Sequence, residues 1–67
     1  MITIGTNIRH YRKEKKMTQK DLGAIIGISN TYLSDLEVGR TNPSIKTLKR
    51  IATALEISYI ELLQDTE

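Results

Sequence analysis

Residues Gln19–Glu37, QKDLGAIIGISNTYLSDLE, read as two short amphipathic segments divided by a glycine. Leu22 and Ile26 share one helical face in the first segment, and Leu33 and Leu36 do so in the second. Gly27 stands between them, where a residue without a β-carbon can take the left-handed backbone of a sharp helix end, and Ile28 fills the inside of the bend. The outer face of the second segment carries Asn30, Thr31, Ser34 and Asp35. These are short side chains with hydrogen-bonding ends and little apolar surface. They match the donors, acceptors and thymine methyls along the major groove of duplex DNA.

The flanking sequence supplies helix boundaries. Thr18, followed three residues later by Asp21, resembles a capping box and opens helix 2 over 19–26. Ser29 is the natural cap of helix 3, 30–38, with Gly39 as its stop. Thr3 predicts a first helix over 4–16, with Ile4, Ile8, Tyr11 and the stem of Arg12 on one narrow face. Beyond the loop of Arg40, Thr41, Asn42 and Pro43, Ser44 caps helix 4 over 45–55. Its apolar residues Ile45, Leu48, Ile51, Ala52 and Leu55 keep helical spacing. Ser58 caps a short helix 5 over 59–63. No alternating β-rich run, repeat or low-complexity stretch interrupts this series, so the expected fold class is all-α, five helices in one domain of residues 1–67 with its core in 4–63.

Composition narrows the function. A chain of 67 residues has room for one small domain and none for a separate effector domain, and its core supplies only about 3–5 kcal/mol of net stability. With no cysteine and one histidine, His10, no metal or other cofactor is expected, and His10 reads as an exposed helical residue. Residues 1–50 hold all 10 Lys and Arg against Glu14, Asp21, Asp35 and Glu37, a balance of +6, while Glu56, Glu61, Asp65 and Glu67 give the remainder −4. One end attracts polyanions and the other repels them, which orients the molecule on a phosphate surface. No stretch is apolar enough for a membrane span or a signal peptide, and the expectation is a soluble cytoplasmic protein. Catalytic constellations of the Ser/His/Asp, Cys/His, P-loop or paired-carboxylate kind are missing from the sequence, so an enzyme is not expected.

At this point the chain resembles the phage repressor and Cro type of helix-turn-helix domain, the XRE family, over residues 4–63. The resemblance rests on the basic first helix with its sequel (IRHYRKEKKMTQKDLG), the Gly27 turn, YLSDLEVGRTNPS and IATALEIS. It implies a compact five-helix, lambda-repressor-like bundle whose helix-turn-helix spans 19–38, with helix 2 across the DNA backbone and helix 3 in the major groove. Gln19 then matches a phosphate contact at the start of helix 2, and Asn30, Thr31 and Ser34 match positions that reach base edges. Asp35 lies near enough to add selectivity where a cytosine amino group or a neighbouring arginine meets its charge. Tyr32 packs its ring on helix 2 with its hydroxyl toward a phosphate, and Arg40, Thr41, Asn42 and Lys46 clamp the backbone around the half-site. Arg12 and Glu37 match an internal ion pair that holds helix 3 on helix 1. Gly23 departs from the alanine usual in the family and suggests a close approach within the motif.

The function so implied is a sequence-specific regulator of transcription, a repressor by default, bound to a (pseudo)palindromic double-stranded DNA operator. One small module buries about 600–1,000 Å² on DNA, so a homodimer spanning half-sites about 34 Å apart is the expected form. Tyr59, Ile60 and Leu63 are the candidate dimer surface, with Ile57 and Leu62 assigned to the monomer core. The competing reading is a protein-interaction module, such as an antitoxin or anti-repressor, that uses the same fold on a protein partner. Grouping Gln19, Asn30, Thr31, Ser34 and Arg40 beneath a +6 body argues for DNA.

Overall fold

In a computed structural model that describes residues 3–64, the chain forms α1 Ile4–Glu14, α2 Gln19–Ile26, α3 Asn30–Val38, α4 Ile45–Leu55 and α5 Tyr59–Leu63. No strand occurs among the described residues. Asp65 and Glu67, part of the acidic end, lie outside them.

Each helix starts on a hydroxyl. Thr3, Ser29 and Ser44 accept from Thr6, Tyr32 and Thr47 amides, satisfying a donor that the first turn cannot pair internally. Thr18 and Asp21 exchange bonds in a full capping box, as do Ser58 and Glu61. The backbone amide of Thr18 holds the Asp21 carboxyl below its ordinary value, with the Thr18 hydroxyl as the next cause.

One core joins the five helices: Ile8 from α1, Leu22 and Ile26 from α2, Leu33 and Leu36 from α3, Leu48, Ile51, Ala52 and Leu55 from α4, and Leu62 from α5. α1 packs on α3 and α5, and α2 on α3 and α4. Ile57, Tyr32 and Tyr59 lean on this core without being enclosed. Ile45 departs from the periodic reading and is 57% exposed. A helical side chain covers the turn before its own Cα, and at the first position of α4 that places it beyond the core edge.

The first helix ends two residues earlier than the apolar spacing predicts. Lys16 takes φ 58°, its amide bonds the Lys13 carbonyl, and the Met17 amide bonds that of Arg12. This is a Schellman closure with lysine where glycine is usual, so no glycine marked it in the sequence. Glu56 closes α4 in the same way with φ 60°, and its exposed carboxylate lies 2.8 Å from Lys15 Nζ. Left-handed backbone costs a residue with a β-carbon about 1–2 kcal/mol, whereas glycine adopts it freely but loses more chain entropy on folding. Lys16→Gly is therefore expected to raise stability by up to about 1 kcal/mol, read as a higher urea midpoint at unchanged m-value. A lower midpoint would mean that the Lys16 side chain makes a stabilising contact outweighing the backbone strain.

Candidate nucleic-acid interface

The side chains of α3 divide between core and solvent. Leu33, Leu36 and Glu37 are buried, Tyr32, Ser34 and Asp35 are half-buried, and Asn30, Thr31 and Val38 are exposed. Steps of three, four and seven residues put Thr31, Ser34, Asp35 and Val38 on one stripe, with Asn30 at its leading edge. Asp35 is not an isolated carboxylate. Arg40 reaches back from the following loop to place NH1 3.3 Å from Asp35 Oδ1, with the guanidinium 77% exposed. The pair softens the repulsion that Asp35 offers to a phosphate chain and keeps most of Arg40 open to solvent.

Buried contacts fix the pose of this stripe. Arg12 donates from Nε to Glu37 Oε2 at 2.7 Å and from NH2 to Oε1 at 3.0 Å, a bidentate pair, and its NH1 donates to the Met17 carbonyl at 2.7 Å. Gln19 adds a bond from its amide nitrogen to Glu37 Oε1 at 3.1 Å. One carboxylate thus ties together the end of α1, the start of α2 and the last turn of α3. The Gln19 side chain is engaged with Glu37, while its backbone amide, with that of Lys20, belongs to the first turn of α2 that has no intrahelical acceptor.

Beside Asn30 opens a cleft of about 460 Å³ lined by Gln19 and by Lys13, Lys16 and Lys20. None of these three lysines has a salt-bridge partner among the described residues. Unpaired cations around the start of a helix make a site suited to phosphate, both by charge and by the helix dipole. Helical spacing alone gives these lysines a share of the net charge and no common location. Ending α1 at Glu14 and turning the chain left-handed at Lys16 brings Lys13 and Lys16 to the mouth of α2, where Lys20 stands in the first turn. On the far side of the stripe, Asn42 and Lys46 are exposed and Thr41 is half-buried.

Asn7 and Arg50 support the interface through contacts with elements distant in sequence. Asn7 is buried at 2% exposure and donates its amide to the carbonyls of Leu62 at 2.9 Å and Gln64 at 2.6 Å, latching α1 to α5. Its spacing of three from Ile4 and four from Tyr11 was the available signal. Arg50 donates NH2 to the Ile26 carbonyl, capping α2 where it enters the turn. Gly23 and Gly27 shape that turn: Gly27 has φ 79°, and a β-carbon on Gly23 would lie 2.8 Å from the Ile28 carbonyl oxygen. Of the candidate dimer residues, Ile60 and Leu63 are 60% and 45% exposed, while Tyr59 is half-buried. Leu62 is fully buried. No helix among the described residues is long and apolar enough to cross a membrane.

The helix-turn-helix family HTH_3 matches residues 8–62 of the chain. An HTH-type transcriptional regulator of Sinorhizobium fredii, y4dJ, is 44% identical over 64 residues, covering 96% of this chain and 83% of that protein. The immunity repressor protein of Bacillus phage phi105 is 45% identical over 56 residues, covering 84% of this chain but only 39% of its own length. Among solved structures, the P22 c2 repressor in complex with a synthetic operator superposes with a TM-score of 0.88 at 34% identity, covering 96% of this chain and 97% of that one.

Proposed function

The chain belongs to the helix-turn-helix family, and from that we propose that it is a sequence-specific double-stranded DNA-binding regulator of transcription, a cytoplasmic repressor acting as a homodimer. Its work is binding, with no reaction catalysed and no cofactor required. The observation that carries this reading is the solvent-facing polar stripe of α3 lying beside a cleft of lysines that have no salt-bridge partner among the described residues. Base edges and phosphates are met together by that arrangement, as groove readout with backbone anchoring demands.

In this reading Asn30, Thr31 and Ser34 contact base edges, with Asp35 adding selectivity while Arg40 offsets its charge. Gln19, Tyr32, Arg40, Thr41, Asn42 and Lys46 hold the DNA backbone, joined by Lys13, Lys16 and Lys20. Occlusion of a promoter by a dimer on a two-fold-related operator is the simplest route to repression. The names of the phi105 and P22 relatives, both repressors, support that direction.

Selection of bound sequences from random duplex DNA at two salt concentrations tests the proposal. A motif with two-fold symmetry is expected, with binding that weakens steeply as salt rises. Asn30→Ala or Thr31→Ala should flatten preference at defined positions by about 1–3 kcal/mol. Arg40→Ala should instead weaken all sequences alike and lower the salt slope. Salt-sensitive binding with no motif would reduce the protein to nonspecific polyanion affinity. An unchanged motif in both α3 variants would remove α3 as the reader.

A further inference from the structure

We propose that Val38 reads a thymine methyl in the major groove, about three base pairs from the position met by Thr31. The inference rests on the DNA-binding reading and adds a specificity-determining residue to it.

Five large apolar side chains stand exposed among the described residues: Ile25, Val38, Ile45, Ile60 and Leu63. Only Val38 belongs to α3, and it is 60% exposed. Thr31 lies seven residues before it in the same helix. At about 100° per residue that separation falls about 20° short of two full turns, so the two side chains leave the helix in nearly the same direction. A face that presents Thr31 to the groove presents Val38 as well.

Distance along the axis sets which base pair each one meets. Seven residues at about 1.5 Å rise place Val38 about 10 Å beyond Thr31. Base pairs repeat about every 3.4 Å, so a helix lying along the groove carries the two residues about three base pairs apart. α3 is short enough for both ends to enter. Its nine residues span about 13 Å, close to the roughly 12 Å width of the groove.

The residue type is the second observation. Val38 is the last residue of α3, next to the Gly39 stop, and no Lys or Arg stands in that turn. A cation there would suit the helix dipole, helix propensity and solubility together, and beside DNA it would also gain a phosphate. Valine forgoes all four. Positive charge is left to Arg40, two residues on, whose guanidinium lies against Asp35. What valine offers instead is a pair of methyl groups on a β-branched, rotationally restricted side chain. Phosphate and sugar gain little from that. The thymine methyl is the apolar group that base edges present in the major groove, and a fixed apolar side chain is its natural partner.

Uracil isolates this contact, because it pairs as thymine does and lacks only the C5 methyl. Synthetic random duplexes hold no 5-methylcytosine, so any methyl sensed in a motif selected from them belongs to thymine. Thymine should be preferred about three base pairs from the position that Thr31→Ala relaxes. Deoxyuridine at that place should weaken binding of the parent protein about fourfold per half-site, the effect of one buried carbon. Val38→Ala should lose about as much on the thymine operator and nothing further on the uracil one. Its preferences at the positions of Asn30 and Thr31, and its salt slope, should stay those of the parent. Alanine is the better helix former and Val38 is exposed, so the fold of the variant is not at risk. Val38→Ala that keeps the full uracil penalty would overturn the inference. So would a parent indifferent to uracil at every thymine of the half-site, or a motif without thymine at that spacing. Each of these results leaves the DNA-binding reading standing, whereas recovery of no motif overturns both.

Discussion

Replacing Glu37 with alanine should leave the domain largely unfolded at room temperature. The Glu37 side chain is 2% exposed and that of Arg12 9%, so removal of the carboxylate strands a guanidinium away from water with only the Met17 carbonyl as a partner. Breaking a buried pair on one side costs about 3–5 kcal/mol, as much as a core of this size supplies in net stability. Gln19 loses its acceptor in the same step. Arg12→Met with Glu37→Leu removes both charges and should recover much of the loss, because apolar groups of similar volume can replace a buried pair at little cost. Urea denaturation of the singles and the double measures the coupling. Single variants within about 0.5 kcal/mol of the parent would show that water reaches the pair and that the clamp on α3 is weak.

Gly5→Ala is expected to do comparable damage by a different route. A β-carbon on Gly5 would lie 2.2 Å from the Leu36 carbonyl oxygen and 2.6 Å from that of Glu37, both backbone atoms at the end of α3. No rotamer relieves a clash with backbone. α1 and α3 must separate, which loosens the Arg12–Glu37 pair as well. Overpacking of this kind costs about 1–3 kcal/mol by itself, more where it disturbs a buried charge. Helix propensity points the other way, since alanine favours a helix over glycine by about 0.5–1 kcal/mol. The sign of the change in melting temperature therefore separates the two effects. A raised melting temperature would mean that α1 shifts freely on α3.

Local rules account for what was legible in the sequence. Hydroxyl caps, Gly27, Gly39 and apolar spacing act over a few residues, and they located α2 through α5 at their observed ends. What stayed hidden depends on contacts between distant elements. Gly5 looks like an ordinary weak helix former until the carbonyls of α3 arrive beside it. Asn7 finds its acceptors 55 residues or more along the chain. Arg50 resembles any surface cation until α2 ends against it. Lys16 hid the end of α1 because a Schellman turn without glycine leaves no mark in composition. For the interface, the polar stripe of α3 could be read from its spacing, whereas the cleft of lysines required knowing where α1 stops.

The left-handed Lys16 has a consequence for anyone trying to improve this molecule. A screen for thermal robustness would favour glycine there, and each variant so chosen would discard a cation from the cleft beside Asn30. Selection for tight DNA binding would push the same position back toward lysine. Hardiness and grip therefore compete at one residue, and a melting curve alone would rank the variants in the wrong order for use.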